Sequence, residues 1–255
     1  MPAITEAYGK AVSYKQHDPE KDRVFDFGAG PGYLSRTIMR EGGAVDLIDT
    51  SPKMLEIAKQ TIAQARFQFP VTEPRFVSDC TLLDQEAYGF GMMNFVVQNA
   101  PTRNTLCDMF ANAARLLRKP GEDRMMGGAL VLTQTHLDWL HISHSAYAFD
   151  LERMPCKTEG YKYLDKRAKQ PVREGDSYSG IIRDDDGKAA FQLEGDHLWK
   201  RDTIIEIAEK SGLAFKTLTD IDDKPSSARR ASEQPAYMMF TFERIDPGPE
   251  EPQNA

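Results

Sequence analysis

Val24-Phe25-Asp26-Phe27-Gly28-Ala29-Gly30-Pro31-Gly32 is the stretch on which the reading of this chain turns. Residues 23–27 form a short apolar run that stops at a glycine turn, and residues 34–40 continue as a helix closed by Gly42-Gly43. A strand that ends in glycines and opens a helix is where a doubly wound sheet holds a ligand. Two glycine patterns compete. A dinucleotide fingerprint needs its third glycine at position 33, and Tyr33 stands there; the third glycine is Gly32, so the spacing is D-x-G-x-G-x-G. The Asp26 carboxylate would repel a pyrophosphate and attract the ammonium of an amino acid. Taken alone, such a loop reads first as an ordinary βα turn.

Outward from the loop, strand and helix signals alternate. Residues 44–49 (AVDLID) read as a second strand, followed by Ser51 as N-cap and Pro52 at the first helical position. Residues 75–77 and 92–97 read as third and fourth strands, 104–118 as a long helix stopped by Lys119-Pro120-Gly121, and 129–133 as a fifth strand. This alternation implies a parallel sheet with right-handed crossovers. Residues 213–218 and 237–242 lack a helical crossover and should pair antiparallel. Between them and strand five, residues 136–150 read as helix and 151–176 as irregular; 178–183 and 188–194 read as a hairpin around Asp184-Asp185-Asp186-Gly187. Residues 202–211 read as a helix with Thr203 and Glu206 as a capping box.

Two further acids decide between the glycine patterns. Asp49 ends strand two, 23 positions after Asp26, and can accept both hydroxyls of a ribose. Asp79 ends strand three, and its side-chain acceptor beside the Cys80 backbone N–H matches the amino-pyrimidine edge of adenine. Three acids at the ends of three successive strands face one crevice.

The blocks DFGAGPG, VDLIDTSPKMLEIA, FVSDC and LLRKPG, in that order and spacing over residues 23–133, resemble class I S-adenosylmethionine-dependent methyltransferases. The resemblance implies a Rossmann-like, doubly wound α/β sheet of seven strands with an antiparallel last hairpin and a lid inserted between strands five and six. It implies S-adenosylmethionine as cofactor and S-adenosylhomocysteine as product. Gly28, Gly30 and Gly32, with Asp26 and Ala29, would surround the methionine part. Asp49 would hold the ribose, Thr50 and Met54 would flank the ribose and adenine, and Asp79 with Cys80 would hold the adenine amine. Asn94 and Phe95 would complete the cofactor set from strand four, and an N-terminal aromatic, Tyr14 or Tyr8, would fold over it. The family often carries an acid at the start of strand four, where this chain has Gly91. The second half resembles the small-molecule branch through His197-Leu198-Trp199 before a helix and Ser211-Gly212-Leu213-Ala214-Phe215 after it.

Amino methylases of DNA bases carry [DN]-P-P-[YF] after strand four; here the segment is Gln98-Asn99-Ala100-Pro101, without the second proline or the aromatic stacker. The formal net charge of −7 likewise argues against nucleic acid as partner. The expected reaction is methyl transfer to O, N or C of a small-molecule acceptor; alternatives are a non-methylating binder of the same cofactor and a methylase of a macromolecule. Residues 136–199 would cap the crevice. His136 and His197 flank this insertion and are candidate bases, while His141, His144, Tyr147 and Trp199 are candidate acceptor contacts. No metal is expected: His141 and His144 lie three apart rather than at the i, i+4 spacing of a helical zinc pair, and Cys80, Cys107 and Cys156 are widely separated.

The 255 residues suit one domain over 1–245 followed by a disordered acidic tail, 246–255. No apolar run of 18 residues is present, and the N-terminus lacks a signal-peptide pattern. A cytoplasmic monomer or homodimer without membrane contact is expected.

Overall fold

The computed structural model describes residues 23–67, 72–121, 127–135, 150–153, 174–175, 177–183, 189–197, 199–221 and 237–246. The parallel half begins with β1 (Val24–Phe27), α1 (Tyr33–Arg40), β2 (Val45–Ile48), α2 (Pro52–Ala63) and β3 (Arg75–Val77). It continues with β4 (Phe90–Asn94), α3 (Arg103–Leu116) and β5 (Ala129–Thr135). The insertion contributes β6 (Asp150–Arg153), β7 (Ser177–Arg183) and β8 (Ala189–His197), and the chain closes with α4 (Arg201–Lys210), β9 (Leu213–Ile221) and β10 (Tyr237–Arg244). Seven strands form one sheet in the order β3-β2-β1-β4-β5-β10-β9, and β6-β7-β8 form a separate antiparallel sheet. β1 to β5 pair in parallel, whereas β10 runs antiparallel to both β5 and β9. This is the Rossmann-like architecture with an antiparallel last hairpin that the sequence implies.

Both faces of the sheet are covered, so its central strands alternate between two cores rather than between core and water. Val24, Val45, Leu47, Met92 and Val131 pack with Leu34, Ile38 and Met39 of α1 and with Ala58 and Ile62 of α2. Phe25, Ile48, Met93, Leu130 and Leu132 pack with Leu106 and Phe110 of α3 and with Ile204 and Ile207 of α4. Each such buried Val, Leu, Ile, Phe or Met side chain contributes roughly 1.5–3 kcal/mol over its exposed state. Ser51 caps α2, its hydroxyl accepting from the Met54 N–H at 3.4 Å, and Thr102 caps α3 through the Thr105 N–H at 3.1 Å.

Gly91 has a packing reason. A Cβ there would sit 2.1 Å from the Phe25 ring, and that ring meets Tyr88 edge-on at 5.4 Å. The Tyr88 hydroxyl donates to Asp46 at 2.7 Å, and Asp46 also pairs with Arg23 and Arg75. This network, buried at Asp46 and Tyr88, lies toward the amino-terminal ends of the strands, away from the glycine loop.

Four sequence expectations are corrected. Strand four is Phe90–Asn94 rather than 92–97, because Phe95 turns to a left-handed φ of 54° and ends it. Asp150–Arg153, expected at a helix end and in irregular chain, is a strand paired with β7. The capping box at Thr203 and Glu206 does not form. Instead α4 begins at Arg201, Thr203 is buried, and Glu206 pairs with Arg103 at 2.7 Å and Lys210 at 2.7 Å. Trp199, expected as an acceptor contact, is only 4% exposed and belongs to the α3–α4 core.

Candidate active site

The chain leaves β1 toward β2 on one side and reaches β4 on the other, so the crevice opens between the carboxyl ends of β1 and β4. The glycine loop lies there. Gly28 combines φ +74° with close approach, since a Cβ would stand 2.2 Å from Val96. Gly30 has φ +51° and nothing within 4 Å of a Cβ, so its open side faces space that a ligand can occupy.

The carboxylates around the loop have distinct surroundings. Asp26 is 1% exposed. Its Oδ2 accepts from the Ser35 hydroxyl at 2.6 Å, while Oδ1 is buried with no partner. Burial pushes this carboxyl up to about 6; the Ser35 hydroxyl opposes that shift, and the charge of Asp49 adds to it. A buried carboxylate oxygen without a donor is costly by itself, and a cationic ligand group would satisfy it. Asp49 is half-buried at the end of β2. Its two oxygens accept from the Gly30 N–H at 2.8 Å and the Ser51 N–H at 2.9 Å, which fixes the carboxylate against the loop and leaves lone pairs for hydroxyl donors. Asp79 is exposed at the end of β3, accepts from the Thr81 N–H at 2.8 Å, and is held below the usual carboxylate range by that bond. Cys80 beside it is buried, Met54 is half-buried at the start of α2, and Thr50 after β2 is exposed. Ala29 N–H bonds the Ile48 carbonyl at 3.0 Å, which ties the loop to β2. On the β4 side, the Thr133 hydroxyl donates to Asn94, and the Phe95 N–H bonds the Thr133 carbonyl at 2.9 Å.

The insertion joins this rim through its last strand. Gln98, in the turn after β4, donates to Asp196 at 2.8 Å, and Asp196 is 5% exposed. The Trp199 indole donates to the Ala100 carbonyl at 3.2 Å, and Gln134 reaches the Trp199 carbonyl at 3.4 Å. Half-buried His197 places Nδ1 3.0 Å from the Gly175 carbonyl. A carbonyl only accepts, so in this contact Nδ1 carries the proton and Nε2 is the basic nitrogen. Tyr14, His136, His141, His144 and Tyr147 lie outside the described residues. Among the described residues, no three His, Cys, Asp or Glu side chains gather into a metal-binding group. Sequence reasoning missed Ser35, Gln98 and Asp196. A hydroxyl nine residues after Asp26 was a visible signal for the first, whereas the pairing of 98 with 196 had none.

The segment 24–121 matches the family described as a methyltransferase domain. Residues 24–121 are thus similar to a methyltransferase domain. Over 101 residues it is 39% identical to a demethylmenaquinone methyltransferase of Tropheryma whipplei, a match covering 39% of this chain and 38% of that relative. The matched stretch is thus well under half of the relative's length. The fold of the chain is similar to that of an S-adenosylmethionine-dependent methyltransferase from Methanosarcina mazei. There the TM-score is 0.58 at 15% identity, over 91% of this chain and 95% of that one. A second neighbour is the 1,6-didemethyltoxoflavin-N1-methyltransferase of Burkholderia thailandensis, whose structure holds its substrate and S-adenosylhomocysteine. It aligns with a TM-score of 0.50 at 13% identity, over 96% of this chain and 76% of that one.

Proposed function

We propose that the chain transfers a methyl group from S-adenosylmethionine to O, N or C of a small-molecule acceptor. One observation carries the reading: the partnerless Oδ1 of Asp26 lies buried behind a glycine loop whose Gly30 N–H is fixed to Asp49. That arrangement suits a ligand with an ammonium at one end and a ribose at the other, and it disfavours a pyrophosphate. The methyltransferase-domain match and the similarity to the demethylmenaquinone and didemethyltoxoflavin methyltransferases support the same class.

When bound, the cofactor supplies a sulfonium methyl that is electrophilic without further activation. The residues then have positional roles. Asp26 faces the ammonium, with Gly28, Ala29, Gly30 and Gly32 lining the methionine part. Asp49 accepts the ribose hydroxyls between Thr50 and Met54, and Asp79 with Cys80 accepts and donates at the adenine edge. Asn94 and Phe95 border the reacting end, and Tyr14 covers the site. Residues 136–199 cap the crevice within a single domain over 1–245, and the cap's work is to align the acceptor and exclude water. Where the acceptor must lose a proton, Nε2 of His197 or a nitrogen of His136 takes it, and His141, His144 and Tyr147 contact the acceptor. No nucleic acid is a partner, and the protein works in the cytoplasm as a monomer or homodimer. Among the described residues, no helix is long and apolar enough to cross a membrane.

Calorimetry with S-adenosylhomocysteine tests the reading. Micromolar binding is expected, and Asp49→Ala should weaken it by about 1.5–3 kcal/mol, the range for hydrogen bonds to a charged group. Saturable binding of NAD that competes with S-adenosylhomocysteine would replace this reading with a dinucleotide site.

A further inference from the structure

We propose that Ser35 is a positioning residue for the cofactor: its hydroxyl orients Asp26 and keeps it ionised, so that the ammonium of the ligand meets a carboxylate. The inference rests on the reading that the glycine loop holds S-adenosylmethionine, and it adds a proton linkage to that site. Ser35 is 0% exposed and Asp26 1%, so neither group exchanges its hydrogen bond for water. The hydroxyl donates to Oδ2 at 2.6 Å and thereby leaves Oδ1 as the oxygen available to the crevice. This short hydroxyl donor sets the rotamer of the carboxyl and favours its charged form, to which the Ser35 backbone N–H adds a smaller contribution.

The surroundings of Asp26 make that help necessary. The adjacent β2 contributes Asp49, a like charge; α1 contributes the uncharged Ser35, and the paired position on β4 is Met92. Burial and Asp49 both favour the protonated carboxyl, and only Ser35 opposes them, leaving the group with a midpoint at about 6. Below that midpoint the free protein holds a carboxylic acid. The entering ammonium then displaces one proton, which passes to solvent, and an ion pair forms in place of the O–H bond. Affinity is therefore full above the midpoint and falls as pH drops through it.

The test is calorimetric titration of S-adenosylhomocysteine between pH 5 and 7.5, in two buffers of different ionisation enthalpy. For the wild type, Kd at pH 5 should be about tenfold above its value at pH 7, with roughly half a proton released per ligand at pH 6. Ser35→Ala removes the hydroxyl, the larger of the two opposing hydrogen bonds, and keeps the backbone N–H, so the break should move to higher pH and affinity at pH 7 should fall. A Ser35 that only packed would lower affinity equally at every pH. A flat wild-type profile without proton release overturns the linkage while leaving the cofactor reading intact. A break that stays in place in Ser35→Ala overturns the role of Ser35. Absence of any S-adenosylhomocysteine binding by the wild type overturns the cofactor reading itself and the inference with it.

Discussion

Asp26 and Asp46 are buried carboxylates on neighbouring strands, and their responses to pH have opposite signs. Asp26 has its pKa raised to about 6 by burial, so the folded state binds more protons than the unfolded one between 3.8 and 6. Stability therefore falls as pH rises through that window, and the cost persists at neutral pH. Asp26→Asn should stabilise the ligand-free protein at pH 7 by at most about 3 kcal/mol, with the gain shrinking toward pH 5. Asp46 is the reverse. Burial pushes its carboxyl up, but Arg23, Arg75 and the Tyr88 hydroxyl together hold it below its ordinary value. Its contribution is present above 3.8 and is lost as pH falls through the lower folded value. Asp46→Asn should cost about 3 kcal/mol at pH 7, because it leaves two guanidinium groups beside a neutral amide. Denaturant unfolding of both variants at pH 5 and pH 7 checks the pair of signs; two variants shifting in the same direction at pH 7 would contradict this account. Asp26, Asp49 and Asp79 were legible in the sequence because each lies within two residues of the end of a strand. Asp46 was not, since inside AVDLID it reads only as a polar interruption and its arginine partners lie 23 and 29 positions away.

At the scale of elements, the glycine loop separates packing from ligand space. Gly28 and Gly30 share the left-handed region, which costs a residue with a Cβ about 1–2 kcal/mol. Their neighbours differ: Val96 crowds Gly28, and open space faces Gly30. Gly28→Ala should lose about 2–4 kcal/mol of stability, strain and overpacking together. Gly30→Ala should lose only about 1–2 kcal/mol of stability but weaken S-adenosylhomocysteine binding at least tenfold, because the new methyl enters the ligand's space. Thermal melts with parallel calorimetry distinguish the two, and a larger stability loss in Gly30→Ala would contradict the assignment. The sequence announced this loop, the Ser51 cap of α2 followed familiar turn chemistry, and β3 fell where expected. Strand four was misplaced because apolar residues run on through Val97, while its end is set by the backbone turn at Phe95, which hydrophobic periodicity does not report.

Across the whole molecule, the parallel core was legible and the insertion was not, for one physical reason. A doubly wound core repeats a strand–helix period, so each segment supports the reading of the next. The insertion is attached by side chains far apart in sequence: Gln98 to Asp196, Gln134 to the Trp199 carbonyl, and the Trp199 indole to the Ala100 carbonyl. Composition therefore suggested that Trp199 meets the acceptor, whereas its 4% exposure makes it the bolt between the end of the insertion, the β4 turn and the α3–α4 core. The two roles predict different phenotypes. As a bolt, Trp199→Ala leaves a large cavity and should cost about 3–5 kcal/mol. Trp199→Phe keeps most of the ring volume but leaves the Ala100 carbonyl without its donor, so it should cost about 1–3 kcal/mol. As an acceptor wall, Trp199→Phe would instead leave unfolding unchanged. Urea unfolding of both variants without ligand decides the matter: a midpoint for Trp199→Phe equal to that of the wild type would return Trp199 to the acceptor site, and a graded loss, Ala beyond Phe, would place it in the frame on which the cap is mounted.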